Sequence, residues 1–473
     1  MTAKFAIRPH RTPELDPGFV PAVLWNRAFD DAVRAAGDGK PLVLALERPN
    51  GNVSVHATRV FPHRGAEREL NCRYVERLVK YLLWMKGGWR VTVAGDPMLA
   101  MEMAAIYAPD GARAFDNQIM GEKIYGRPFA VVHSSVAKAP SAKETQVHLG
   151  GHLDGCRIGF DLGGSDRKCA AVRDGEVVFT EEVRWDPYFQ KDPAYHRAGI
   201  EDTLRRAAAH LPRVDAIGGS AAGVYVDNRV RVASLFRGVS EEDFRGKVMD
   251  MFLEIGREWN VPMVVVNDGE VTALAGAAAM NDNAVLGISM GTSLAAGYVN
   301  PDGAITDWLN ELAFVPVDYR DDAPVDEWSG DRGCGVQYFS QQGVARLAPI
   351  AGFDFPVGMP FPEQLVEVQD AMAKGDERAA RIYRTLGVCF GYTVAQYATF
   401  YELRNLLILG RVTSGAGGEI ILAEAGNILR EEFPDLAGKI HFRTPDESGK
   451  RHGQAVAAAG LPERGRGRGE YKR

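Results

Sequence analysis

The sequence has no long apolar run, no excess of positive charge and little cysteine, and each shortage excludes a class of protein. None of its 473 residues lies in an apolar stretch long enough to span a bilayer, so we expect no membrane partner. The first 20 residues lack the apolar core of a secretory signal. A formal net charge of −7 gives no basic field for capturing nucleic acid, so we expect no nucleic-acid partner either.

Cysteine is scarce and odd in number, which argues against a disulfide framework. Cys72, Cys156, Cys169, Cys334 and Cys389 are scattered along the chain. Such a pattern is typical of reduced thiols, and we therefore expect a cytoplasmic protein. Glycine, by contrast, is plentiful at 52 residues, which suits several tight turns that approach a phosphate.

A chain of this length exceeds what one hydrophobic core usually holds, so we expect two or three domains. Residues 1–150 are interpreted as an α/β domain that ends in a linker. Strands at 42–46 and 53–60 would form a hairpin across the turn at 49–52. Apolar residues at i, i+4 spacing predict a helix over 67–86.

A second helix is predicted over 97–107, with proline in its first turn. We interpret its methionines, Met98, Met101 and Met103, as residues that fill gaps in a core. The role of this N-terminal domain stays open between a cap on a cleft, a dimer interface and a second ligand site.

The first segment with chemical potential follows a strand that begins at Arg157. This strand delivers Asp161, and Gly163, Gly164 and Ser165 then form a tight turn. Glycine lets backbone N–H groups approach a phosphate, the serine hydroxyl can donate to it, and Asp161 can hold Mg²⁺ through water. The alternative is an ordinary hairpin that carries glycines.

The second segment is an apolar strand that ends at Asn267 and Asp268, ahead of a helix of small residues. Because α/β proteins place their sites at the carboxyl ends of buried strands, Asp268 could take a proton from an attacking hydroxyl. Asn267 would orient the substrate. Alternatively, Asp268 caps the next helix, and a cap would also fix the carboxylate for catalysis.

Two further glycine-rich turns follow strands later in the chain. One repeats the architecture of the first segment, and the other opens a helix whose N-terminus could accept nucleotide groups. Their residues are Gly291, Thr292 and Ser293 in the former and Gly410, Gly415, Gly417 and Gly418 in the latter.

Taken in order, these segments resemble the ROK family of sugar kinases, within the actin-like ATPase superfamily. The matching stretches are FDLGGS at 160–165, VVNDGEVTA at 265–273, MGTSLAAG at 290–297 and LGRVTSGAGG at 409–418. The resemblance covers roughly residues 157–462.

This resemblance implies an α/β fold with a two-lobed, ribonuclease H-like ATPase core behind the extra N-terminal domain. The first lobe would span 151–278 and be rejoined by a C-terminal helix at 450–463, and the second would span 279–449. A nucleotide would lie between the lobes. The resemblance also implies a homodimer.

The activity implied is ATP-dependent phosphorylation of a hydroxyl on a sugar or sugar derivative. Asp268 would be the general base and Asp161 would hold Mg²⁺ through water. The glycine turns at 163–165 and 291–293 would contact the phosphates of ATP. Gly410 and the glycines within 415–418 would line the adenine and ribose.

Three departures from the family concern the sugar and metal sites. The family's ExGH motif corresponds to 311–314, where Glu311 is kept and Phe314 stands at the histidine position. Its zinc loop retains only Cys334 of three cysteines, so zinc is not expected. Gln337 would replace a glutamate as a group that binds the substrate. A non-catalytic sensor of sugar or nucleotide therefore remains the alternative function.

Overall fold

The computed structural model describes residues 5–147, 149–444 and 453–463. These residues divide into two compact units. Unit 1 consists of 5–145, Ile288–Ala296 and Trp308–Arg443, and unit 2 of Gln146–Gly287, Gly297–Asp307, Thr444 and 453–463. The division into domains made from the sequence stays a prediction, and residues 450–452 of its C-terminal helix lie outside the described residues.

The described residues form seventeen β-strands. In chain order they are β1 (Lys40–Glu47), β2 (Val53–Val60), β3 (Arg90–Ala94), β4 (Ala130–Ser134), β5 (Gln146–Val147), β6 (Cys156–Leu162), β7 (Asp166–Arg173), β8 (Glu176–Arg184), β9 (Ala216–Ala221), β10 (Val224–Val226), β11 (Arg229–Val232), β12 (Met263–Asn267), β13 (Val285–Met290), β14 (Leu294–Val299), β15 (Ile305–Thr306), β16 (Asn405–Leu409) and β17 (His441–Arg443).

The described residues also form fourteen α-helices. These are α1 (Ala22–Ala36), α2 (Glu67–Lys86), α3 (Pro97–Ile106), α4 (Ala114–Gln118), α5 (Pro193–Ala208), α6 (Glu241–Asp243), α7 (Met251–Trp259), α8 (Asp268–Met280), α9 (Gln341–Ala351), α10 (Phe361–Ala373), α11 (Glu377–Tyr397), α12 (Ala416–Glu432), α13 (Pro434–Ala437) and α14 (Gly453–Ala459). In the part of the chain that the structure describes, no helix combines the length and apolar character needed to cross a bilayer.

The N-terminal part of unit 1 is built on a four-stranded sheet in the order β2-β1-β3-β4. β1 pairs antiparallel with β2 and β3, and β3 pairs parallel with β4. The predicted hairpin is confirmed, and its turn places Asn50 and Gly51 at φ 60° and 70°. Leu42, Leu44 and Leu46 on alternate positions of β1 are buried, as the period of a strand requires.

Helix α2 has the bounds predicted from its periodicity, whereas the prediction for α3 was partly wrong. Met103 is buried, but Met98 and Met101 are 48% and 63% exposed. The apolar residues of α3 surround the helix without a dominant side, and the rest of unit 1 covers only the face that carries Leu99, Ala100 and Met103. These two methionines therefore do not fill a core.

Helix α1 was not identified from the sequence, and it lacks a side-chain cap at its N-terminus. It is held by aromatic packing instead. Phe29 stacks on Tyr74 of α2 with ring centroids 4.1 Å apart, and Trp25 lies 5.8 Å from Phe29. This contact between helices distant in sequence fixes α2 within unit 1.

Unit 2 is built on a five-stranded sheet in the order β12-β9-β6-β7-β8. β6, β9 and β12 run parallel, and β7 and β8 continue the sheet antiparallel. Helix α14 packs directly on the sheet, where an added Cβ at Gly159 would lie 1.8 Å from the carbonyl oxygen of Ala455. The parallel strands bring three carboxyl ends to one edge, which is where the candidate catalytic residues lie.

Strands β13 and β14 contribute residues to both units. In unit 1 they extend a sheet in the order β17-β16-β13-β14, with β16 and β17 parallel. In unit 2, β14 pairs with β15 and β15 with β5, both antiparallel. The strands and turns predicted on either side of residues 291–293 are therefore confirmed.

Candidate active site

In unit 2, polar side chains meet at the carboxyl ends of the three parallel strands. The register pairs Asp161 of β6 with Ser220 of β9, and Asn267 of β12 with Ala221 of β9. Asp268 follows Asn267 as the first residue of α8. The structure thus brings Asp161 together with Asn267 and Asp268, which lie more than 100 residues further along the chain.

Asp161 is buried and anchored at one oxygen. The Ser220 hydroxyl donates to its Oδ1 at 2.7 Å, and Lys168 Nζ lies 3.7 Å from its Oδ2. Burial raises the pKa of Asp161, while the bond from Ser220 and the charge of Lys168 oppose the rise. Carboxylate oxygens of this kind are among the ligands that Mg²⁺ prefers.

Asp268 has the most informative environment in unit 2. Burial, followed by the nearby negative charge of Asp161, raises its pKa from 3.8 to about 6. Its Oδ1 accepts from the backbone N–H of Gly269 at 3.0 Å, which holds the carboxylate at the start of the helix. The result is a fixed carboxylate whose pKa lies close to neutral pH.

The helix cap is supplied by the residue before Asp268. Asn267 Oδ1 accepts from Gly269 N at 2.7 Å, and Asn267 Nδ2 donates to the carbonyl oxygen of Gly223 at 2.7 Å. The alternative in which Asp268 caps this helix is therefore wrong, because Asn267 holds the N-cap position. Asp268 lies one residue further on, inside the first turn.

The first glycine turn closes on itself between β6 and β7. Gly163 N donates to the carbonyl oxygen of Asp166 at 2.9 Å, and the exposed Ser165 hydroxyl donates to Asp166 Oδ2 at 2.9 Å. An added Cβ at Gly164 would lie 1.9 Å from the Tyr188 hydroxyl, so a larger residue would require the Tyr188 side chain to move. The turn is thus tight and fixed.

The second glycine turn, in unit 1, also closes through a backbone hydrogen bond of its first glycine, although over a shorter span. Gly291 N donates to the carbonyl oxygen of Ser293 at 2.9 Å, and Gly291 O accepts from Gln341 N at 2.9 Å. Thr292 and Ser293 form the exposed tip. Their hydroxyls are accessible to a ligand of unit 1.

The loop after β16 requires glycine for two different reasons. Gly410 has φ 108°, and an added Cβ would lie 2.4 Å from the carbonyl oxygen of Met290 on β13. Gly415 is exposed at the N-cap of α12, with φ 69° and no side-chain cap. Gly417 and Gly418 are buried, and added Cβ atoms would collide with the Tyr383 ring and with Thr413 O. The latter pair serves the packing of α12.

The two remaining substrate candidates lie on adjacent single turns of unit 1. Glu311 precedes the turn Leu312–Phe314, and its N–H donates to the carbonyl oxygen of Trp84 at 2.9 Å. Gln337 ends the turn Gly335–Gln337, and its Nε2 donates to Gln342 Oε1 at 2.6 Å. Gln337 also lines a cavity of about 410 Å³ within unit 1.

Phe314 and Cys334 have surroundings that differ from a sugar-and-zinc site. Phe314 packs against Trp84 and Trp328, with ring centroids 4.5 and 4.9 Å away. Burial, followed by the charge of Asp331, raises the pKa of Cys334, so its thiol stays protonated. Cationic side chains already surround Asp331 and balance its charge. These cations would repel a zinc dication, so the residues around Cys334 do not fit one.

A separate cluster in unit 1 contains His63, Cys72 and Glu102, three residue types that can bind metals. Glu102 already pairs with Arg68 as well as with His63 and Cys72. Asn71 Nδ2 points at His63 Nδ1 from 3.4 Å, which favours the tautomer whose Nε2–H donates to Glu102. That tautomer leaves no nitrogen lone pair for a metal at Nε2.

Several residues of these clusters were missed from the sequence. Ser220 and Lys168 both contact Asp161, and Tyr188 covers Gly164. Ser220 lies in a small-residue strand that carries no chemical pattern of its own. Only the parallel register of β6 and β9 shows that its hydroxyl meets Asp161.

No family model matches this chain, and no curated protein matches it either. A solved ROK hexokinase from Thermus thermophilus is 18% identical and covers 64% of this chain and 96% of its own, with a TM-score of 0.51. A ROK family transcriptional regulator, a homolog of the E. coli Mlc protein, is 16% identical over 83% of this chain and 95% of its own, also with a TM-score of 0.51. At these identities the likeness establishes the fold alone, and it confirms the predicted actin-like α/β fold of ROK type.

Proposed function

We propose that this chain transfers the γ-phosphoryl group of ATP to a hydroxyl of a sugar or sugar derivative, with Asp268 as general base. The observation that carries the proposal is the environment of Asp268. A carboxylate with a pKa of about 6 is ionised at pH 7 and is still basic enough to accept a proton as the hydroxyl attacks. The fold is shared by a hexokinase and by a regulator, so it does not distinguish a kinase from a binding protein. The choice between these functions therefore rests on the residues of the site.

In this reaction the residues of unit 2 act on the reacting groups. The acceptor hydroxyl loses its proton to Asp268 while its oxygen bonds to the γ-phosphorus and the bond to the leaving ADP breaks. Asp161, anchored by Ser220, would hold Mg²⁺, which supplies neutralisation of phosphate charge when bound. The Asn267 amide carries two N–H groups, of which Gly223 takes one, so the other would orient the acceptor.

The residues of unit 1 would bind the two substrates. Thr292 and Ser293 offer hydroxyl groups at an exposed turn, which suits contacts to phosphate oxygens. The uncapped N-terminus of α12 at Gly415 offers backbone N–H groups and the positive end of the helix dipole to the nucleotide. Glu311 and Gln337 would hydrogen-bond the hydroxyls of the acceptor.

The test is a coupled assay of ADP release over a panel of sugars, amino sugars and polyols. At least one acceptor should raise ADP release by the wild type, and Asp268→Asn should reduce that rate by roughly 10²–10⁴-fold, the usual contribution of a general base. Asp302→Asn, an exposed aspartate in another turn of unit 2, is the matched control and should keep full activity. Equal turnover in Asp268→Asn and the wild type would refute the assignment.

A non-catalytic sensor of sugar or nucleotide is the second candidate, and the packing of Phe314 favours it. An aromatic ring held between Trp84 and Trp328 offers an apolar contact where the resemblance places a histidine that binds sugar. Calorimetric binding of a sugar, together with no ADP release for any member of the panel, would support the sensor and exclude the kinase.

A further inference from the structure

Helix α2 carries a fully buried cation, Lys80. Its Nζ donates to Asp116 Oδ1 at 2.9 Å and to Oδ2 at 3.2 Å, and it lies 3.3 Å from Asp331 Oδ2. Burial alone would lower the pKa of Lys80, but the charges of Asp116 and Asp331 outweigh it and raise the pKa. Lys80 is therefore a permanent positive charge between two carboxylates from different segments of unit 1.

Asp331 connects the buried charges around Lys80 to the loop that precedes Gln337. Besides Lys80, Arg113 Nη1 lies 2.5 Å from Asp331 Oδ1, and Arg77 Nη2 lies 3.2 Å away. Arg77 Nη1 also donates to the carbonyl oxygen of Arg332 at 3.4 Å. Three cations of the N-terminal segment thus converge on one carboxylate.

The charges in this cluster balance. Glu76 pairs with both Arg77 and Arg113, so three carboxylates, those of Glu76, Asp116 and Asp331, face three cations. A buried network of this kind tolerates removal of a matched pair far better than removal of one member, because the loss of one member leaves its partner as an unpaired buried charge. Loss of Lys80 alone would therefore loosen its partners.

The loop that contains Asp331 leads directly into the turn of Gln337. Gly333 O accepts from Val317 N at 2.8 Å, and Gly335 N donates to Val315 O at 3.0 Å. Gln337 N then donates to Cys334 O at 3.0 Å. These backbone bonds hold the short segment between Asp331 and Gln337 in place.

The C-terminal end of α2 holds the other substrate candidate. The last carbonyl groups of a helix have no partner within it, and here Trp84 O accepts from Glu311 N at 2.9 Å and Met85 O from Asn310 N at 2.8 Å. Trp84 Nε1 donates to Asp116 Oδ1 at 2.6 Å. The same Asp116 therefore links Lys80 to the residue that supports Glu311.

We propose that α2 positions the acceptor-binding residues of this protein, and that Lys80 is the positioning residue through which it orders both Glu311 and Gln337. This inference rests on the proposed function, since it takes Glu311 and Gln337 as contacts of the acceptor. It gives the N-terminal segment a role in the site rather than that of an appended domain. Lys80 itself touches neither substrate.

The test compares Lys80→Met with an exposed control in the same unit, Lys138→Met. Lys80→Met should raise KM for the acceptor at least tenfold and change KM for ATP by less than twofold. A lysine with only a structural role would lower the active fraction, and so kcat, with both KM values unchanged. The acceptor KM of Lys138→Met should equal that of the wild type, and an unchanged acceptor KM in folded Lys80→Met overturns the proposal.

A double variant covers the case in which Lys80→Met does not fold. Lys80→Met with Asp116→Asn removes a cation and a carboxylate together, keeps a side-chain oxygen for Trp84 and restores the balance of charge. It should fold and still show the raised acceptor KM, because Asp331 has lost its link to α2 through Lys80. A wild-type acceptor KM in this variant would equally overturn the proposal.

Hydrogen–deuterium exchange separates failure of this inference from failure of the proposed function. Faster exchange at 310–314 and 332–337 in Lys80→Met, with unchanged exchange in unit 2, is the expected result. If no acceptor stimulates ADP release by the wild type, the proposed function fails. The exchange rates alone then test the role of Lys80. Unchanged exchange in both segments would then overturn the role of Lys80.

Discussion

Replacing Asp268 by asparagine should make the protein more stable at neutral pH while it slows turnover. The folded state raises the pKa of Asp268 to about 6 from an ordinary 3.8, first through burial and then through the charge of Asp161. The native state therefore binds the proton more tightly than the unfolded chain does. Asparagine has nearly the same shape, carries no charge and retains an oxygen for the Gly269 N–H.

The size of the effect follows from proton linkage. Stability falls as pH rises wherever the native state holds a proton that the unfolded state has lost, which for Asp268 is the window from 3.8 to about 6. Above that window the ionised Asp268 destabilises the native state by the full amount. A shift of about two units corresponds to about 3 kcal/mol at pH 7, and below pH 3.8 the difference disappears.

The assay is urea unfolding of the wild type and Asp268→Asn at pH 7.0 and at the lowest pH where both fold reversibly. The gain of the variant should be largest at pH 7.0 and shrink as the pH falls through about 6. Asp302→Asn, at an exposed turn of the same unit, should show no such gain. If Asp268→Asn is no more stable than the wild type at pH 7.0, the perturbed environment assigned to Asp268 is wrong.

Two further predictions follow from the same structure. The rate kcat/KM of acceptor phosphorylation should fall about tenfold for each pH unit below about 6, because only ionised Asp268 accepts the proton, and a plateau that extends to pH 5 would contradict this. Gly410→Ala should destabilise unit 1 by several kcal/mol, because its φ of 108° and the Met290 oxygen 2.4 Å from an added Cβ both exclude a side chain. The control is Gly438→Ala, at φ −79° with open space around it, which should leave stability unchanged in the same urea titration.

Much of the fold could be predicted from sequence because its local signals agree with its tertiary structure. The bounds of α2 follow from apolar spacing and from the glycine that ends the helix, and the β6–β7 hairpin follows from Gly163 and Gly164. Asn267 and Asp268 were identified because a strand ended abruptly in polar residues. In each case the pattern and the packing specify the same element.

The parts that sequence did not predict depend on contacts between distant segments. Helix α1 has no capping signal and is held by Trp25 and Phe29 against Tyr74. The exposure of Met98 and Met101 depends on which face of α3 unit 1 covers. Lys80 is a lysine on an ordinary amphipathic helix until Asp116 and Asp331, 36 and 251 residues further on, enclose it.

The energetics of unit 2 bear on the choice between a kinase and a sensor. Asp161 and Asp268 both have pKa values raised by burial, and the charge of one raises the pKa of the other. Such a pair costs native stability at neutral pH, and an amide at position 268 would bind a neutral sugar without that cost. A carboxylate with a raised pKa can also accept a proton, which an amide cannot do, so the environment of Asp268 is the feature of unit 2 that fits the proposed phosphoryl transfer better than binding alone.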